Sequence, residues 1–559
     1  MGFERVHVRA GASVSVPLAI SPHALLTTSM DGVSSFNPGR FKVEFGVEGS
    51  AEGSPVRTSG GITVTGTPQQ VFKLPRSLKS DDAFARVVQG QGVGVTDRFV
   101  SVQKDSSGVW WFSHKGHHFL SKGVNHVNNG GQDDGVGGRE SPACKAGVTR
   151  GVAKIPGSPL CGDTLSYSPL IEYAPYFNST LERYGSEEKW ASVTATRLES
   201  WNFNTLGGWS ATVAEKAAAS RSLYYAHLLD LGTTWLSHTG LDHDVFNASF
   251  AAQCEAVVAK QVAPRANDEQ LLGWQLDNEL NWRGLGLSSF LGGYHNLDGS
   301  ISNAGKQVAV DFVRDQCAGK ADDVCNDNWL GVVAEKYFAE TVGAIRSVDR
   351  NHLILGMRGG AFCSDANCSK TQAILKAAAK WIDVFDYHDY SDDPPFNSLQ
   401  TVHAVTGLPI MLGEWSFTAF DSNMPNTGGS RSCRDPVAAA GQFGAGLGLD
   451  GEPCLPGSGP GTHCPAFLPQ SKCKSVRTTQ SQRASDYTRF VTELVKLPFA
   501  VGFHWWQWAD EPSQGRWPDG ECSNYGLVHI SDDVYGVITE AMSSTNAKLD
   551  AVHNMSLAI

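Results

Sequence analysis

Residues 271–279 read LLGWQLDNE, and residues 408–416 read LPIMLGEWS. Each stretch is a nearly unbroken apolar run that ends on polar residues, which is the pattern of a parallel strand buried on both faces. Six further runs of this kind occur, separated by helical patterns, at 119–127, 203–209, 233–240, 352–360, 382–390 and 499–508. Eight such strands alternating with helices predict an α/β fold, the (β/α)8 or TIM barrel, with enlarged loops.

Periodicity alone also fits a doubly wound sheet, but the residues at the strand ends favour the barrel. Polar and aromatic side chains gather at the carboxyl ends of the predicted strands, where barrel active sites lie. They are Asn125, His126, Trp209, His238, Asn278, Glu279, His388, Tyr390, Glu414, Trp415, Trp505 and Trp506. We therefore expect the functional site on this rim.

The first 104 residues differ from the rest of the chain. Short β-branched segments are separated there by Gly, Ser, Pro and Asn clusters, without strong helical periodicity. This pattern is typical of an antiparallel β-sandwich. We predict a sandwich of the carbohydrate-binding-module type over 1–104, the barrel over 105–545 and a tail over 546–559.

The charge balance limits the classes of partner. Lys and Arg number 45 and Asp and Glu 57, so the net charge is −12. An acidic chain disfavours nucleic acid or an anionic membrane as the main partner. No run approaches the roughly 18 apolar residues of a membrane span. The oligomeric state cannot be read from the sequence.

Twelve cysteines and four glycosylation triplets bear on the compartment. Most of the cysteines lie in Gly/Pro/Ser-rich stretches, where disulfides restrain loops, and this predicts a secreted or lumenal protein. Buried free thiols are the alternative. Asn178, Asn247, Asn367 and Asn554 begin Asn-x-Ser/Thr triplets, compatible with a glycoprotein. The first residues carry no apolar signal core, so either a signal has been trimmed or the protein is not exported by that route.

Two carboxylates at strand ends indicate the chemistry. Glu279 ends the fourth predicted strand and Glu414 the seventh, so the two would face each other across the barrel mouth. Hydrolysis of an acetal needs one carboxyl group to protonate the leaving oxygen and another to attack the anomeric carbon. In a retaining site the two carboxyl groups lie roughly 5–5.5 Å apart. We therefore predict Glu279 and Glu414 as the catalytic pair.

The neighbours of the pair support this reading. Asn278 can bond a sugar hydroxyl beside the reacting carbon. His388 and Tyr390 share one face of the sixth strand, and a tyrosine there can orient Glu414 through a hydrogen bond. Aromatic rings suit the apolar faces of sugars. The predicted substrate-binding residues are Asn278, Asn125, His126, Trp209, His238, His388, Tyr390, Trp415, Trp505 and Trp506.

Several motifs resemble the retaining (β/α)8 glycoside hydrolases of clan A, most closely the family 50 β-agarases. They are GVWWF (108–112), FLSKGVN (119–125), WNFNTLGGWS (201–210), DNEL (277–280), GEW (413–415), GFHWW (502–506) and DGECSNYGLV (519–528). The resemblance implies that Glu279 is the acid/base and Glu414 the nucleophile. It also implies a β-sandwich domain ahead of the barrel.

The predicted function is a retaining glycosidase that cleaves a β-linked polysaccharide or oligosaccharide, such as the β-galactan agarose. This chemistry requires no metal or organic cofactor. A β-glucanase, a β-mannanase or a transglycosylase with the same two glutamates remains an alternative, as does a non-catalytic carbohydrate-binding protein. A serine hydrolase is disfavoured, since the chain has no Gly-x-Ser-x-Gly nucleophile elbow.

Overall fold

Eight parallel strands close a barrel in the computed structural model, which describes residues 97–129, 175–233, 240–360, 371–419, 422, 476–477, 479–511 and 523–556, and the backbone of five earlier strands. The barrel strands are β9 (Ser121–Val124), β10 (Thr205–Leu206), β11 (Tyr224–Leu228), β12 (Leu271–Asn278), β15 (Leu353–Gly360), β16 (Phe385–His388), β17 (Ile410–Trp415) and β20 (Ala500–Trp505). They are hydrogen-bonded in this order, and β20 closes the ring by pairing with β9. The predicted (β/α)8 barrel is confirmed.

Helices cover the outside of the barrel and part of its rim. They are α1 (Pro175–Tyr184), α2 (Glu187–Ser200), α3 (Thr212–Ala219), α4 (Ala248–Val257), α5 (Leu287–Leu291), α6 (Ala304–Gln316), α7 (Asp323–Val348), α8 (Gln372–Ala378), α9 (Phe396–Thr406), α10 (Gln480–Leu494) and α11 (Gly536–Asn554). The described residues also include a π-helix at Val258–Val262 and 3₁₀ helices at Ala263–Arg265 and Trp282–Leu285. None of the helices that the structure describes is both long and apolar enough to cross a membrane.

Burial on both faces explains why the strand sequences are so apolar. Every residue of β17 and β20 is buried. One apolar layer lies between the barrel and the helices and includes Trp274 and Phe338. A second closes the amino-terminal end of the barrel, where Phe112 and Phe119 pack with Met411. These two come from the small sheet of β6 (Ser101–Lys104), β7 (Trp110–His114) and β8 (His117–Phe119). The opposite, carboxyl end of the barrel is left for the site.

The predicted third strand at 233–240 is wrong. The barrel uses β11 at Tyr224–Leu228 instead, paired with β10 and β12. Backbone N–H groups of Gly232 and Thr233 donate to the side chain of Asp277 rather than to a neighbouring strand. Residues 234–239 of the predicted run lie outside the described part of the chain, and His238 is one of them.

The long segment after β12 carries an insertion on the same rim. It contains α5, the β13 (Tyr294–His295) and β14 (Ile301–Ser302) hairpin, and α6. A disulfide joins Cys317 to Cys325 between α6 and α7, while Cys254 is a buried free thiol. One of the expected disulfides is therefore present among the described residues. The short strands β18 (Thr418–Ala419) and β19 (Val476–Arg477) pair beyond β17.

The amino-terminal region is described only as backbone strands. These are β1 (Leu26–Thr28), β2 (Ser34–Phe36), β3 (Gly39–Val47), β4 (Val56–Val64) and β5 (Gln69–Phe72). The pairs β1–β2, β2–β5 and β3–β4 are all antiparallel. The sandwich packing and the boundary at residue 104 stay predictions, because the residues between these strands lie outside the described part.

Candidate active site

The two predicted catalytic carboxylates meet at the carboxyl end of the barrel. Glu279 directly follows β12, and Glu414 lies near the end of β17. Oxygens of these two groups and a ring nitrogen of His388 all lie within 4.8 Å of one another. The Glu279 side chain is half exposed, at 53%, whereas Glu414 is buried. One carboxylate is therefore open to the cleft, and the other is enclosed by the protein.

Two donors hold the Glu414 carboxylate. The hydroxyl of Tyr390 donates to Oε1 at 2.8 Å, which is the contact expected from the sequence. Nη2 of Arg358 donates to Oε2 at 2.5 Å. Burial, and then the negative charge of Glu414, raise the pKa of Tyr390 well above its usual value. The phenol therefore keeps its proton and acts as a donor at neutral pH.

Arg358 was missed by the sequence analysis, although its sequence setting carried a signal. It lies on β15 within the run LILGMRGG, and its side chain is fully buried. A lone cation in a strand buried on both faces is costly unless a carboxylate pairs with it. That argument predicts a buried partner for Arg358, but only the barrel geometry identifies the partner as Glu414.

The position of Arg358 requires a glycine on the opposite side of the barrel. A Cβ at Gly208 would lie 1.8 Å from Nη1 of Arg358 and 2.7 Å from Oε1 of Gln275. Gly208 follows β10, so the guanidinium reaches across the barrel axis towards the second strand. Gly208 belongs to the WNFNTLGGWS motif, and steric access for Arg358 is the physical reason for a glycine there.

A single tautomer of His388 accounts for the contacts of both of its ring nitrogens. Nε of Arg358 lies 3.3 Å from Nε2 of His388, and guanidinium nitrogens only donate. Nε2 is therefore the acceptor, and the ring carries its proton on Nδ1. This Nδ1 lies 2.8 Å from Oε1 of Glu279, to which it donates. The structure thus places His388 between the carboxylates.

A buried polar layer supports Arg358 and His388 from below. Gln275 donates to Oδ2 of Asp386 at 2.5 Å. Burial raises the pKa of Asp386, while the positive charge of Arg358 acts in the opposite direction. A Cβ at Gly413 would lie 1.5 Å from Oδ1 of Asp386, so the residue before Glu414 has to be glycine.

The two predicted asparagines lie on either side of this centre. Asn278 precedes Glu279, and its Oδ1 is buried without a hydrogen-bond partner among the described residues. Asn125 donates to the carbonyl oxygens of Gly413 at 2.8 Å and His504 at 3.3 Å. The Asn125 amide therefore joins β9 to β17 and β20 beneath Glu414.

The predicted aromatic residues divide into two groups, one at the rim of the barrel and one packed between the barrel and the helices. His126 stacks on Trp506 with ring centroids 5.7 Å apart, and Trp209 is partly exposed after β10. Trp415 stacks on Phe490 of α10 at 4.2 Å.

Trp505 donates its indole N–H to the carbonyl of Tyr525 at 2.9 Å. Trp415 is 1% exposed and Trp505 0%. The expectation that these two rings stack on substrate does not hold, because they pack between the barrel and the helices.

The same three side chains are also a possible set of metal ligands. Glu279, His388 and Glu414 each offer a ligand atom within the 4.8 Å cluster. The guanidinium of Arg358 already supplies a positive charge at Glu414, and its Nε–H occupies Nε2 of His388. This pairing disfavours a further cation between the two carboxylates.

Fold and site together define an eight-stranded parallel barrel with two facing carboxylates at its carboxyl end, the arrangement used by retaining glycoside hydrolases. The chain is similar to β-agarase A of Vibrio sp. (strain JT0107), with 25% identity over 434 residues. It is also similar to β-agarase B of the same strain, with 24% identity over 427 residues. These alignments cover 68% and 67% of this chain but only 38% of each relative. The resemblance expected from the motifs is confirmed over that part of the chain.

Solved structures support the same fold. An agarase, AgWH50C, superposes with a TM-score of 0.53 at 19% identity, covering 81% of this chain and 64% of the other. An exo-β-agarase superposes with a TM-score of 0.56 at 18% identity, covering 85% and 68%. No protein-family model matches the chain.

Proposed function

We propose that the protein is a retaining glycoside hydrolase that cleaves β-linked galactan chains such as agarose. The observation that carries the proposal is the separation of the two carboxylates, whose oxygens approach within 4.8 Å. Retaining glycosidases hold the two groups roughly 5–5.5 Å apart, and inverting ones roughly 6.5–9.5 Å apart. The short gap leaves no room for a water molecule between Glu414 and the sugar.

In the first step an oxygen of Glu414 bonds to the anomeric carbon as the glycosidic bond breaks. Glu279 gives its proton to the leaving oxygen. In the second step Glu279 takes a proton from water, the water oxygen bonds to the anomeric carbon, and Glu414 is released. The exposure of Glu279 suits this exchange with leaving group and water, whereas the enclosed Glu414 suits attack from a fixed position.

Arg358 and Tyr390 serve both steps by aiming the Glu414 carboxylate. Holding the nucleophile in one orientation removes part of the entropic barrier to attack. When Glu414 becomes an ester it loses its charge, and the negative charge moves to Glu279. His388, polarised by Arg358 on one side, then donates to the charged Glu279 on the other.

The β-galactan substrate is proposed from similarity to proteins called β-agarases. A polysaccharide such as agarose is cleaved outside the cell. The Cys317–Cys325 disulfide supports an oxidising compartment for the protein. Secretion is therefore part of the proposal. The rivals on the same site are a β-glucanase, a β-mannanase and a transglycosylase.

The experiment is a product profile on agarose, β-1,4-galactan, β-glucan and β-mannan, followed by NMR of the first anomer released. Release of oligosaccharides from agarose with the β-anomer first supports the proposal. Release of the α-anomer first would overturn retention, and cleavage of another glycan alone would overturn the substrate. Glu414→Gln is the matched control and should lose turnover while it still binds the oligosaccharide.

A further inference from the structure

A fully buried histidine lies inside the barrel and has no part in the mechanism above. His504 is on β20 between Phe503 and Trp505, which both pack in the apolar layer outside the barrel. Its side chain therefore points to the barrel axis, where Nε2 lies 2.8 Å from Oγ of Ser121. Burial, and then the positive charge of Arg358, lower the pKa of His504 to about 3, so the ring is neutral at neutral pH. A neutral ring carries one proton, and its position decides what each nitrogen binds.

Asn204 begins a chain of hydrogen bonds that ends at His504. Oδ1 of Asn204 accepts from the backbone N–H of Lys122 at 2.8 Å, and Nδ2 donates to the carbonyl of Leu120 at 2.8 Å. The amide takes only this orientation, because a flipped amide would set donor against donor and acceptor against acceptor. The hydroxyl of Thr205 therefore gives its one proton to Oδ1 of Asn204, at 3.0 Å.

The position of the proton on His504 follows from this chain. Because the proton of Thr205 is already used, Ser121 is the donor in the 2.9 Å contact between the two hydroxyl groups. Ser121 then has no second proton to give, so Nε2 of His504 donates to its oxygen. The other ring nitrogen, Nδ1, is therefore an acceptor without a proton. It is buried and has no hydrogen-bond partner among the described residues.

A second buried acceptor lies next to Nδ1 of His504. Nδ2 of Asn125 donates to the carbonyl oxygens of Gly413, His504 and Trp505 at 2.8, 3.3 and 3.4 Å, which fixes the orientation of the amide. Oδ1 of Asn125 is left without a partner in the part of the chain that the structure describes. A Cβ at Gly207 would lie 2.3 Å from this oxygen and 3.0 Å from Nδ1 of His504. Two acceptors, neither with a proton to share, therefore lie on the same side of Gly207.

A molecule that donates twice satisfies both acceptors. Their distances from one point place them close enough for a single water to bridge, with hydrogen bonds of about 2.8 Å. A cation is disfavoured there, because the guanidinium of Arg358 is near enough to act electrostatically on His504. Nη1 of Arg358, beside the next residue Gly208, is itself a buried donor without a partner among the described residues. A water that accepts from Nη1 has three protein partners, as buried waters usually do.

We propose that a water molecule is bound between Asn125, His504 and Arg358, and that His504 is a positioning residue which acts through this water on Arg358. The water donates to Oδ1 of Asn125 and Nδ1 of His504 and accepts from Nη1 of Arg358. Nη2 of the same guanidinium donates to Glu414. The water therefore holds the far side of the group that orients the nucleophile. The positioning role rests on the proposed glycosidase function, whereas the water site does not.

The water site is tested without a substrate. A high-resolution crystal structure of the wild type should show a water within hydrogen-bond distance of Asn125, His504 and Arg358. Nitrogen NMR of protein labelled at its histidines should show the ring of His504 with its proton on Nε2, assigned by the loss of that signal in His504→Gln. A proton on Nδ1 of His504, or a direct hydrogen bond from Arg358 to Asn125 in place of the water, would overturn the proposal.

Two substitutions at position 504 separate positioning from packing. In His504→Gln the amide reaches the place of Nε2 and keeps the donation to Ser121, but the acceptor at Nδ1 is lost. In His504→Asn the shorter amide replaces Nδ1 as an acceptor, and the bond to Ser121 is lost. We expect His504→Gln to lower kcat about tenfold at unchanged KM, and His504→Asn to keep most of the wild-type kcat despite a lower thermal midpoint. His403→Phe is the matched control and should keep its kcat, since it loses one bond to the carbonyl of Leu408 and keeps its stacking on Phe499.

The outcomes distinguish this inference from the proposed function. If the wild type cleaves a glycan of the panel and the kcat of both variants falls in step with their thermal midpoints, His504 is merely structural and the positioning role is overturned. If the structure shows the water but the wild type cleaves no glycan, the proposed function fails while the water site stands. If no water lies between the three side chains, the inference fails whether or not the enzyme is active.

Discussion

The Tyr390 hydroxyl donates a 2.8 Å hydrogen bond to Oε1 of Glu414, across neighbouring barrel strands. The bond reaches one carboxylate oxygen while Arg358 holds the other. The raised pKa of Tyr390 keeps its hydroxyl a donor at neutral pH, and guanidinium nitrogens only donate, so the orientation of Glu414 is set before a substrate enters. Several measurable consequences arise from this arrangement.

Replacing Tyr390 with Phe should lower kcat/KM about 10- to 100-fold, since a hydrogen bond to a charged group is worth about 1.5–3 kcal/mol. The effect should lie in kcat rather than in binding. Steady-state kinetics on an agarose-derived oligosaccharide measures it. Tyr225→Phe is the matched control, because that hydroxyl bonds Asp268 away from the mouth at 2.8 Å. Equal activity of Tyr390→Phe and wild type would remove Tyr390 from the mechanism.

Replacing Gly208 with Ala should reduce kcat/KM by about 100-fold or more, because the methyl group displaces Arg358 from Glu414. The added Cβ would lie 1.8 Å from Nη1 of Arg358. Gly343→Ala in α7 meets nothing within 4 Å and is the control. It should keep full activity and gain up to about 1 kcal/mol of stability from helix propensity. If Gly208→Ala had the same kcat/KM as the wild type, the position of Arg358 beside Glu414 would not be needed for catalysis.

Replacing Glu279 with Ala should slow cleavage of the natural glycan by about 10²–10⁴-fold, because the leaving oxygen receives no proton. An aryl galactoside with a good leaving group should still form the glycosyl-enzyme intermediate. This intermediate should then accumulate, which is measured as a burst of the released phenol. Added azide should restore turnover and yield the β-galactosyl azide, since it replaces the water that Glu279 activates. Azide rescue of Glu414→Ala with the same β-product would reverse the assigned roles.

The stability of the barrel should depend on pH through Asp510, which lies after β20. Burial raises the pKa of Asp510 to about 6, although Tyr535 and Asn524 donate to its carboxylate. The folded state then binds more protons than the unfolded state between about pH 4 and pH 6. The free energy of unfolding contributed by this group therefore falls as pH rises through that window, by about 3 kcal/mol at most.

Asp510→Asn should remove this dependence. The difference in unfolding free energy between wild type and variant, from urea denaturation at pH 4, 5, 6 and 7, should shift in favour of the variant as pH rises. A constant difference across the series would contradict a raised pKa for Asp510.

Much of the site was predictable because its signals are local in sequence. An apolar run that ends in Asn-Glu or Gly-Glu marks a buried strand with an acid at its end, so Glu279 and Glu414 could be paired through barrel topology alone. The spacing of His388 and Tyr390 placed both on one strand face, and the hydrogen bond of Tyr390 to Glu414 is present.

Other features depend on contacts between distant strands. The third barrel strand was expected at 233–240 because that run is apolar, whereas the strand that pairs with β10 and β12 is β11. Trp415 and Trp505 lie at strand ends, but the direction of each ring is set by packing against α10. Arg358 could be recognised as a buried cation that needs a partner, but its neighbours in the sequence do not identify Glu414 as that partner.

The sequence by itself determined the barrel, the strand ends and the two glutamates, because strand burial and strand termini leave a pattern in neighbouring residues. Only the tertiary structure decided that Arg358 crosses the barrel axis to Glu414, that Gly208 clears its path, and that His388 donates to Glu279. The reason is geometric. Closing eight strands into a ring brings together side chains from non-neighbouring strands. The number of residues between two such side chains in the sequence does not predict the distance between them in space.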